Sequence, residues 1–385
     1  MKSVLFINRV YPPDEGATGQ LLAELATALA RDGWRVTIVA AGAGTVSDVP
    51  SPNISVQRVR GLPFTRAALW KRALAYASLY PALFWRVLRL PRHDVVVTLT
   101  DPPLMLLLGP WLKWIKRARL VHWAQDVYPE VAEELGVVRR GGLAVRLLRQ
   151  LSTWALRRHD AVITVGRCMK ERFLARGLDE NKLIVIPNWP LTASGSQRST
   201  PNSQPLFTVM YSGNFGLAHP FEAIIEAVKI LDRESASVRF VFAGSGPKLA
   251  ALRGQLADCA NVEFRGPAPL EELSARLSAA DAHLASMTEA LCGLVVPSKV
   301  YGVLAAGRPC VFLGPRASEA AQLILESGAG TVLSVGDGNA LAELLRCWSA
   351  RGAEYQRVRA ASERWAAARP SGPWTFFSRV LAGEK

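Results

Sequence analysis

The chain has 385 residues, of which 50% are hydrophobic and 20% charged, with 30 Gly and 24 Pro scattered along it. That mixture excludes a disordered or collagenous chain, and the length exceeds what one hydrophobic core usually supports, so two domains are expected. The formal net charge of +14 is uneven: residues 1–190 hold 27 Lys and Arg against 15 Asp and Glu, whereas 191–385 hold 19 against 17.

The first apolar run, 4–8, has neither the apolar core length nor the cleavage site of a signal peptide and reads as a strand. Residues 19–31 place Leu21, Leu22, Leu25, Ala28 and Leu29 at helical spacing, and 35–40 reads as the next strand, which completes one β-α-β unit. Further strands are expected at 55–58, 95–99, 120–123, 161–165 and 183–186. Over 69–90 and 111–117, Lys and Arg interleave with apolar and aromatic residues, as in Trp111-Leu112-Lys113-Trp114-Ile115-Lys116-Arg117. This pattern suits an anionic membrane surface; a solvated helix face over ordinary core residues is the competing account. The longest uncharged part there, 73–85, is too short to cross a bilayer and contains Pro81. Nucleic acid is not an expected partner, because no helix-turn-helix, zinc finger or RNA-binding aromatic motif accompanies the charge.

Residues 191–205, rich in Ser, Thr and Pro without periodicity, read as a linker between a domain at 1–190 and another at 206–370. The second domain repeats the alternation. Strands are expected at 207–211, 238–243, 262–265, 282–285, 309–312 and 330–335, and helices at 220–232, 248–256, 270–279, 299–306 and 317–327. Residues 371–385 hold a last apolar segment, 374–381, read as a helix packing back toward the first domain. The result is an α/β protein of two Rossmann-like domains. Cys168, Cys259, Cys292, Cys310 and Cys347 lie far apart with no CxxC pair and no histidine at ligand spacing, so they read as buried free thiols of a reducing compartment.

Each domain opens with a strand, a glycine-bearing loop and a helix: Tyr11 to Gln20 in the first, Tyr211 to Gly216 in the second. Such loops allow close approach of backbone amides to a phosphate, although a purely structural glycine turn has the same appearance. Gly244 and Gly266 sit in two further turns at strand ends. In the segment 289–309, Pro297-Ser298-Lys299 leads into a helix, and loop amides, a hydroxyl and an ammonium together suit a diphosphate.

YPPDEGATG at 11–19, AQDVYPE at 124–130, VIPNW at 185–189, YSGNFGLAHPFEAIIEA at 211–227, FAGSGP at 242–247 and GLVVPSKVYGVLAAGRP at 293–309 carry a resemblance over nearly the whole length. The chain resembles glycosyltransferase family 4, retaining transferases of the GT-B fold, in the branch of bacterial O-antigen fucosamine and colanic-acid transferases. The resemblance implies two Rossmann-like domains facing across a cleft and transfer from a nucleotide sugar, with uridine diphosphate the expected nucleotide, to a lipid-linked saccharide in surface polysaccharide assembly. It implies no cofactor, and no metal site is expected because no DxD motif stands in a suitable loop. It places the protein in the cytoplasm, peripherally on the inner face of the membrane.

Carried onto this chain, the resemblance sets Gly16 near the donor phosphates or acceptor, Gly213 and Asn214 against the diphosphate, with Gly244 in the same donor site, and Arg265 and Gly266 beside the base. Glu289 approaches the donor sugar, and Ser298 with Lys299 binds diphosphate. Asp126, Glu289 and Lys299 are the catalytic candidates. Asp126 orients acceptor or sugar, or equally caps a following helix; Glu130 is an alternative contact to the acceptor; a solvated loop carboxylate is the competing account of Glu289. The chain departs from the wider family in three places. Leu294 and Gly302 stand where a Glu-x7-Glu pair is usual, Asn214 and His219 where an Arg and a Lys are usual, and Gln125 where a His is usual. A compensating cation is therefore expected, Lys299 first, with Arg308 or His219 behind it. A sugar-nucleotide epimerase of the same architecture and a non-enzymatic basic scaffold at the membrane are the competing functions.

Overall fold

The computed structural model describes residues 1–14, 16–42, 51–62, 69–191, 206–368 and 372–384. They form two compact units. One comprises Met1–Asn188, Gly293–Val295 and Ser371–Lys385, the other Trp189–Cys292 and Val296–Pro370.

The first unit carries β1 (Ser3–Ile7), α1 (Ala17–Arg31), β2 (Arg35–Ala41), β3 (Ile54–Val59), α2 (Leu69–Arg89), β4 (Val95–Leu99), α3 (Gly109–Lys116), β5 (Arg119–Ala124), α4 (Glu130–Glu134), α5 (Leu143–Arg158), β6 (Ala161–Thr164), α6 (Arg167–Ala175) and β7 (Leu183–Val185). The strands make a parallel sheet in the order β3-β2-β1-β4-β5-β6-β7. Continuous apolar runs such as those of β1 and β4 are buried along their whole length, as a parallel sheet covered on both faces requires. The order reverses at β1 and β4, and the crevice outside their C-terminal ends is where doubly wound sheets take ligands. Lys116 is buried, and its ammonium donates to the carbonyls of Leu88 (2.9 Å) and Leu90 (2.6 Å), closing the C-terminal end of α2.

The second unit carries β8 (Phe207–Asn214), α7 (Glu222–Arg233), β9 (Val238–Ser245), α8 (Leu249–Gln255), β10 (Val262–Arg265), α9 (Leu270–Ser278), β11 (Ala282–Ser286), α10 (Lys299–Ala305), β12 (Cys310–Leu313), α11 (Glu319–Ser327), β13 (Gly330–Leu333), α12 (Gly338–Ser349) and α13 (Ala353–Ala368). Its sheet is also parallel, ordered β10-β9-β8-β11-β12-β13. A core of Phe207, Phe215, Phe240, Phe242, Trp348 and their neighbours lies between the sheet and α7 and α12.

The expected linker lies, from residue 192 on, outside the described residues. Strands β8 and β9 run three and two residues beyond the ends expected from apolarity, through Gly213↔Gly244 and Asn214↔Ser245. A Cβ on Gly244 (φ +141) would stand 2.0 Å from the Gly213 carbonyl oxygen, so the glycines of these loops let two backbones close on each other. Of the cysteines, all free, Cys168 and Cys310 are buried, but Cys259 and Cys292 are half-buried and Cys347 is exposed. Burial for all five was too broad an expectation, because Cys347 falls on the solvent side of α12. His159, just after α5, is buried, and its Nδ1 contacts the Ala155 carbonyl at 2.8 Å. No helix among the described residues is long and apolar enough to cross a membrane.

The final helix, α14 (Trp374–Ala382), belongs to the first unit. Phe377 is fully buried with its ring 5.0 Å from that of Trp123, and Trp34 donates its indole N–H to Ser378 at 3.0 Å. Phe377→Ala should cost about 3–5 kcal/mol, the usual penalty for emptying a buried aromatic site. A denaturant titration followed by tryptophan fluorescence should show the corresponding fall in midpoint.

Candidate functional site

At the C-terminal ends of the second unit's strands, the Lys299 side chain at the start of α10 reaches back to β8. Its ammonium donates to the Tyr211 hydroxyl at 2.6 Å and lies 4.0 Å from the centre of that ring. The Tyr211 hydroxyl in turn donates to the Asn214 carbonyl at 3.1 Å. No carboxylate among the described residues pairs with Lys299. Some of its surface remains open to solvent, yet the density of protein around it lowers its pKa to about 7 through desolvation. A Cβ on Gly213 (φ +126) would stand 3.8 Å from the ammonium, so the exposed Gly213–Asn214 end of β8 lies beside an under-neutralised cation. Ser298 lies partly exposed immediately before α10 and caps no backbone amide of it. At seven residues α10 has little macrodipole, so attraction for an anion here falls on Lys299.

The other two cations considered for this task do not serve it. His219 donates Nδ1–H to the Ser286 carbonyl, and burial, with Lys299 adjacent, lowers its pKa to about 3, so the ring is neutral. Arg308 is fully buried, donates to the Ser278 carbonyl, and precedes β12, at the end of the sheet away from the crevice. Gly244 lies against Gly213, as described. Arg265 ends β10 and pairs with Glu263 at 2.5 Å, while Gly266 has open space around it. Glu289 is exposed in a short 3-10 turn.

In the first unit, Arg9 and Asp101 follow β1 and β4 and join across the switch point through two parallel bonds, Nε–Oδ1 and Nη2–Oδ2, each 2.7 Å. Asp126 follows β5 and makes an isolated bridge with Val295, beside a bond from the Val127 amide to the Leu294 carbonyl (2.9 Å). Gly293 (φ +74) is required there, since a Cβ would meet the Cys168 carbonyl oxygen at 2.5 Å. Burial, reinforced by the Asp101 carboxylate, raises the pKa of Asp126 to about 7, although part of its surface stays accessible. Gln125 exchanges amide hydrogen bonds with Asn188 of VIPNW at 3.1 and 3.0 Å. Gly16 precedes α1 with its backbone close against Val10, and Asp14 of the same loop is held by Arg58 at 2.8 Å.

Two sequence readings are corrected by this arrangement. The helix after Asp126 starts at Glu130 with Pro129 before it and no side-chain cap, so Asp126 is not a capping residue. Glu130 is bound to Arg149 (2.8 Å) and to Arg176, which commits it to holding α4 against its neighbours and not to an acceptor. Arg9 and Asp101 were not singled out from the sequence. The signal available was a charged residue two positions past each of the two central strands.

Two parallel α/β units of seven and six strands, each with polar groups gathered at the strand ends, define the two-domain GT-B class. A model described as "Glycosyl transferase 4-like domain" matches residues 16–189, and one described as "Glycosyl transferases group 1" matches 207–349. The chain belongs to the family-4-like glycosyltransferases and is a transferase. It is 26% identical over 359 residues to a probable glycosyltransferase, WbjE, of Pseudomonas aeruginosa, covering 90% of this chain and 89% of that one. It is 27% identical over 266 residues to the putative colanic acid biosynthesis glycosyl transferase WcaI of Escherichia coli, covering 65% and 64% of the two chains. In fold it is similar to Anabaena HepE, solved in complex with UDP and glucose, with a TM-score of 0.75, 15% identity and all of both chains covered.

The two perturbed groups give stability profiles of opposite sign. The unfolded chain holds the Lys299 proton up to 10.5 and the folded chain only to about 7, so its cost is full below that value and gone above 10.5. Lys299→Met should therefore raise the thermal midpoint near pH 6 and leave it unchanged near pH 10.5. Asp126 behaves inversely: unfolded it ionises at 3.8, folded at about 7, and its cost is absent below the first value and full above the second. Asp126→Asn should stabilise near pH 8 and not near pH 4; melting curves at these values check both.

Proposed function

We propose that this chain transfers a sugar, with retention, from a nucleoside-diphosphate donor to a lipid-linked saccharide in the assembly of a surface polysaccharide, working peripherally at the cytoplasmic face of the membrane. The observation that carries the donor reading is the Lys299 ammonium, desolvated and without a carboxylate among the described residues, beside the exposed Gly213–Asn214 end of β8. A diphosphate supplies the charge this cation lacks. The HepE complex with UDP supports uridine diphosphate as the nucleotide, and the name of the colanic-acid relative supports a surface polysaccharide.

In this reading the second unit holds the donor. Ser298, Asn214 and the Gly213 backbone surround the diphosphate with Lys299, Arg265 and Gly266 flank the base, and Glu289 meets the sugar. The first unit holds the acceptor, with Asp126 receiving its hydroxyl and Gly16 lining the same end of the sheet. The acceptor oxygen bonds to the anomeric carbon on the face from which the nucleoside diphosphate departs, and its proton passes to the leaving phosphate. The protein's contribution is position and stabilisation of the charge that grows on that phosphate. The basic balance of residues 1–190 supports a lipid-borne acceptor.

A panel of sugar nucleotides, with and without membranes bearing lipid-linked saccharide, tests this. Nucleoside-diphosphate release that depends on acceptor is expected; isomerised donor, or no release with any donor, sinks the reading. Lys299→Met should weaken sugar-nucleotide binding about ten- to a hundredfold, the usual loss for a desolvated charged hydrogen bond. Isothermal titration with the competent donor measures it, and unchanged affinity removes Lys299 from the site.

A further inference from the structure

The surface of α3 and α5 has no role in the chemistry above. On α3, Trp111 (58% exposed), Trp114 (78%) and Ile115 stand in solvent. On α5, Leu143 (83%), Leu147 (56%), Leu151 and Trp154 follow at intervals of four, four and three, which sets them in one stripe along the helix. The buried face of α5 is made instead by Val145, Ser152, Ala155 and Leu156, so the exposed stripe is a second apolar face that the fold of this unit does not use. Single exposed leucines need no explanation, but seven large apolar side chains on two touching helices do.

Beside this apolar surface is a basin of about 690 Å³ lined by Arg92, Lys113, Arg117 and Arg158 with Trp114 and Ile115. No carboxylate among the described residues lines it. Lys113 is paired with Asp160 at 2.6 Å, and Arg158 lies over the Trp154 ring, 4.2 Å from its centre. Arg92 and Arg117, both exposed, donate to no acceptor among the described residues. Three of the four cations thus have no counter-charge in a concave site, where their focused positive potential draws anions from outside.

We infer that this basin binds the phosphate of an anionic phospholipid headgroup while the exposed side chains of α3 and α5 enter the adjoining lipid. The chemistry selects this occupant over others. Guanidinium groups match a phosphate, tryptophan favours the headgroup level, and leucine favours acyl carbon; a bilayer surface presents those layers in that order. A nucleic acid would meet the arginines but gain nothing from a leucine stripe. At 16 residues α5 is about 24 Å long and packs against α3 and α4, which suits a helix lying along an interface and not across it. The inference deepens the reading of a lipid-borne acceptor by naming the face and the lipid group that hold the protein at the membrane.

Sedimentation with vesicles of phosphatidylcholine alone, or with added phosphatidylglycerol, tests the full chain. Wild-type protein should bind the anionic vesicles and not the neutral ones. Arg92→Glu with Arg117→Glu should lower the partition coefficient at least tenfold, at about 1 kcal/mol for each cation lost near the surface. Leu147→Ser with Leu151→Ser should lower it at low salt as well, where electrostatic attraction alone is strongest. All four residues are exposed or remote from the strand ends, so transfer to a short-chain, water-soluble acceptor should be unchanged in both variants, which separates lost docking from lost folding. Equal binding by wild type and the arginine variant, wild type that ignores anionic vesicles, or capture of duplex DNA through these arginines in preference to vesicles overturns the inference. Vesicle binding that depends on these residues in a protein with no sugar-nucleotide activity leaves the docking face standing and removes the proposed function alone.

Discussion

A lysine ammonium without a carboxylate, held in the protein against a tyrosine, is the constraint around which the second unit is arranged. Lys299 weakens the apo protein at neutral pH, because its charge is partly desolvated and its partners are a hydroxyl and a ring face. The surrounding structure absorbs that cost. Tyr211 is buried within an aromatic cluster with Phe215 and Phe221, and the hydroxyl that meets Lys299 is itself aimed by the Asn214 carbonyl. Those carbonyl and ring positions rest on the end of β8, and this end runs on to Asn214 only because Gly213 and Gly244 let the β8 and β9 backbones meet. A perturbed, under-neutralised group of this kind at the strand ends of an α/β unit is what marks Lys299 as a candidate for binding an anion.

The two units share a topology and differ in the chemistry at their strand ends. In the second, an ammonium, a hydroxyl and backbone groups dominate, which suits an anion. In the first, Arg9 neutralises Asp101, while Asp126 pairs with no cation among the described residues and keeps its proton to near neutrality. A carboxyl of that kind is able to donate as well as accept a hydrogen bond, which suits a sugar hydroxyl better than a phosphate. The family's usual cations are absent from 214 and 219, and the neutral His219 shows that position alone does not make a histidine a cation: burial beside Lys299 keeps it uncharged.

Much of the fold was legible because parallel strands buried on both faces leave continuous apolar runs. Strands 95–99 and 262–265 coincide with β4 and β10, and most others differ by one to three residues at an end. The helices α5, α6, α12 and α13 were not anticipated. In α5 the apolar stripe is wide, running from residues that pack inward to leucines left in solvent, and only the packing divides the one from the other. Glycine loops were legible as loops, but whether a glycine serves a ligand or a neighbouring backbone depends on what approaches it, and Gly244 is placed by Gly213. Glu130 was misread for a related reason. Its partners Arg149 and Arg176 lie 19 and 46 residues away along the chain, and only the packing of α4, α5 and α6 brings them to it.

Local patterns therefore sufficed for the two-unit α/β architecture, the family, and the candidate status of Lys299, since each rests on short-range periodicity or on a contiguous motif. What tertiary structure decided was the state and company of the charged groups. Desolvation sets the pKa of Lys299 and Asp126, distant ion pairs commit Glu130 to holding α4, and burial takes Arg308 and His219 out of contention. Charge is written in the sequence, but its free energy depends on the surrounding dielectric and on partners that only the folded chain assembles.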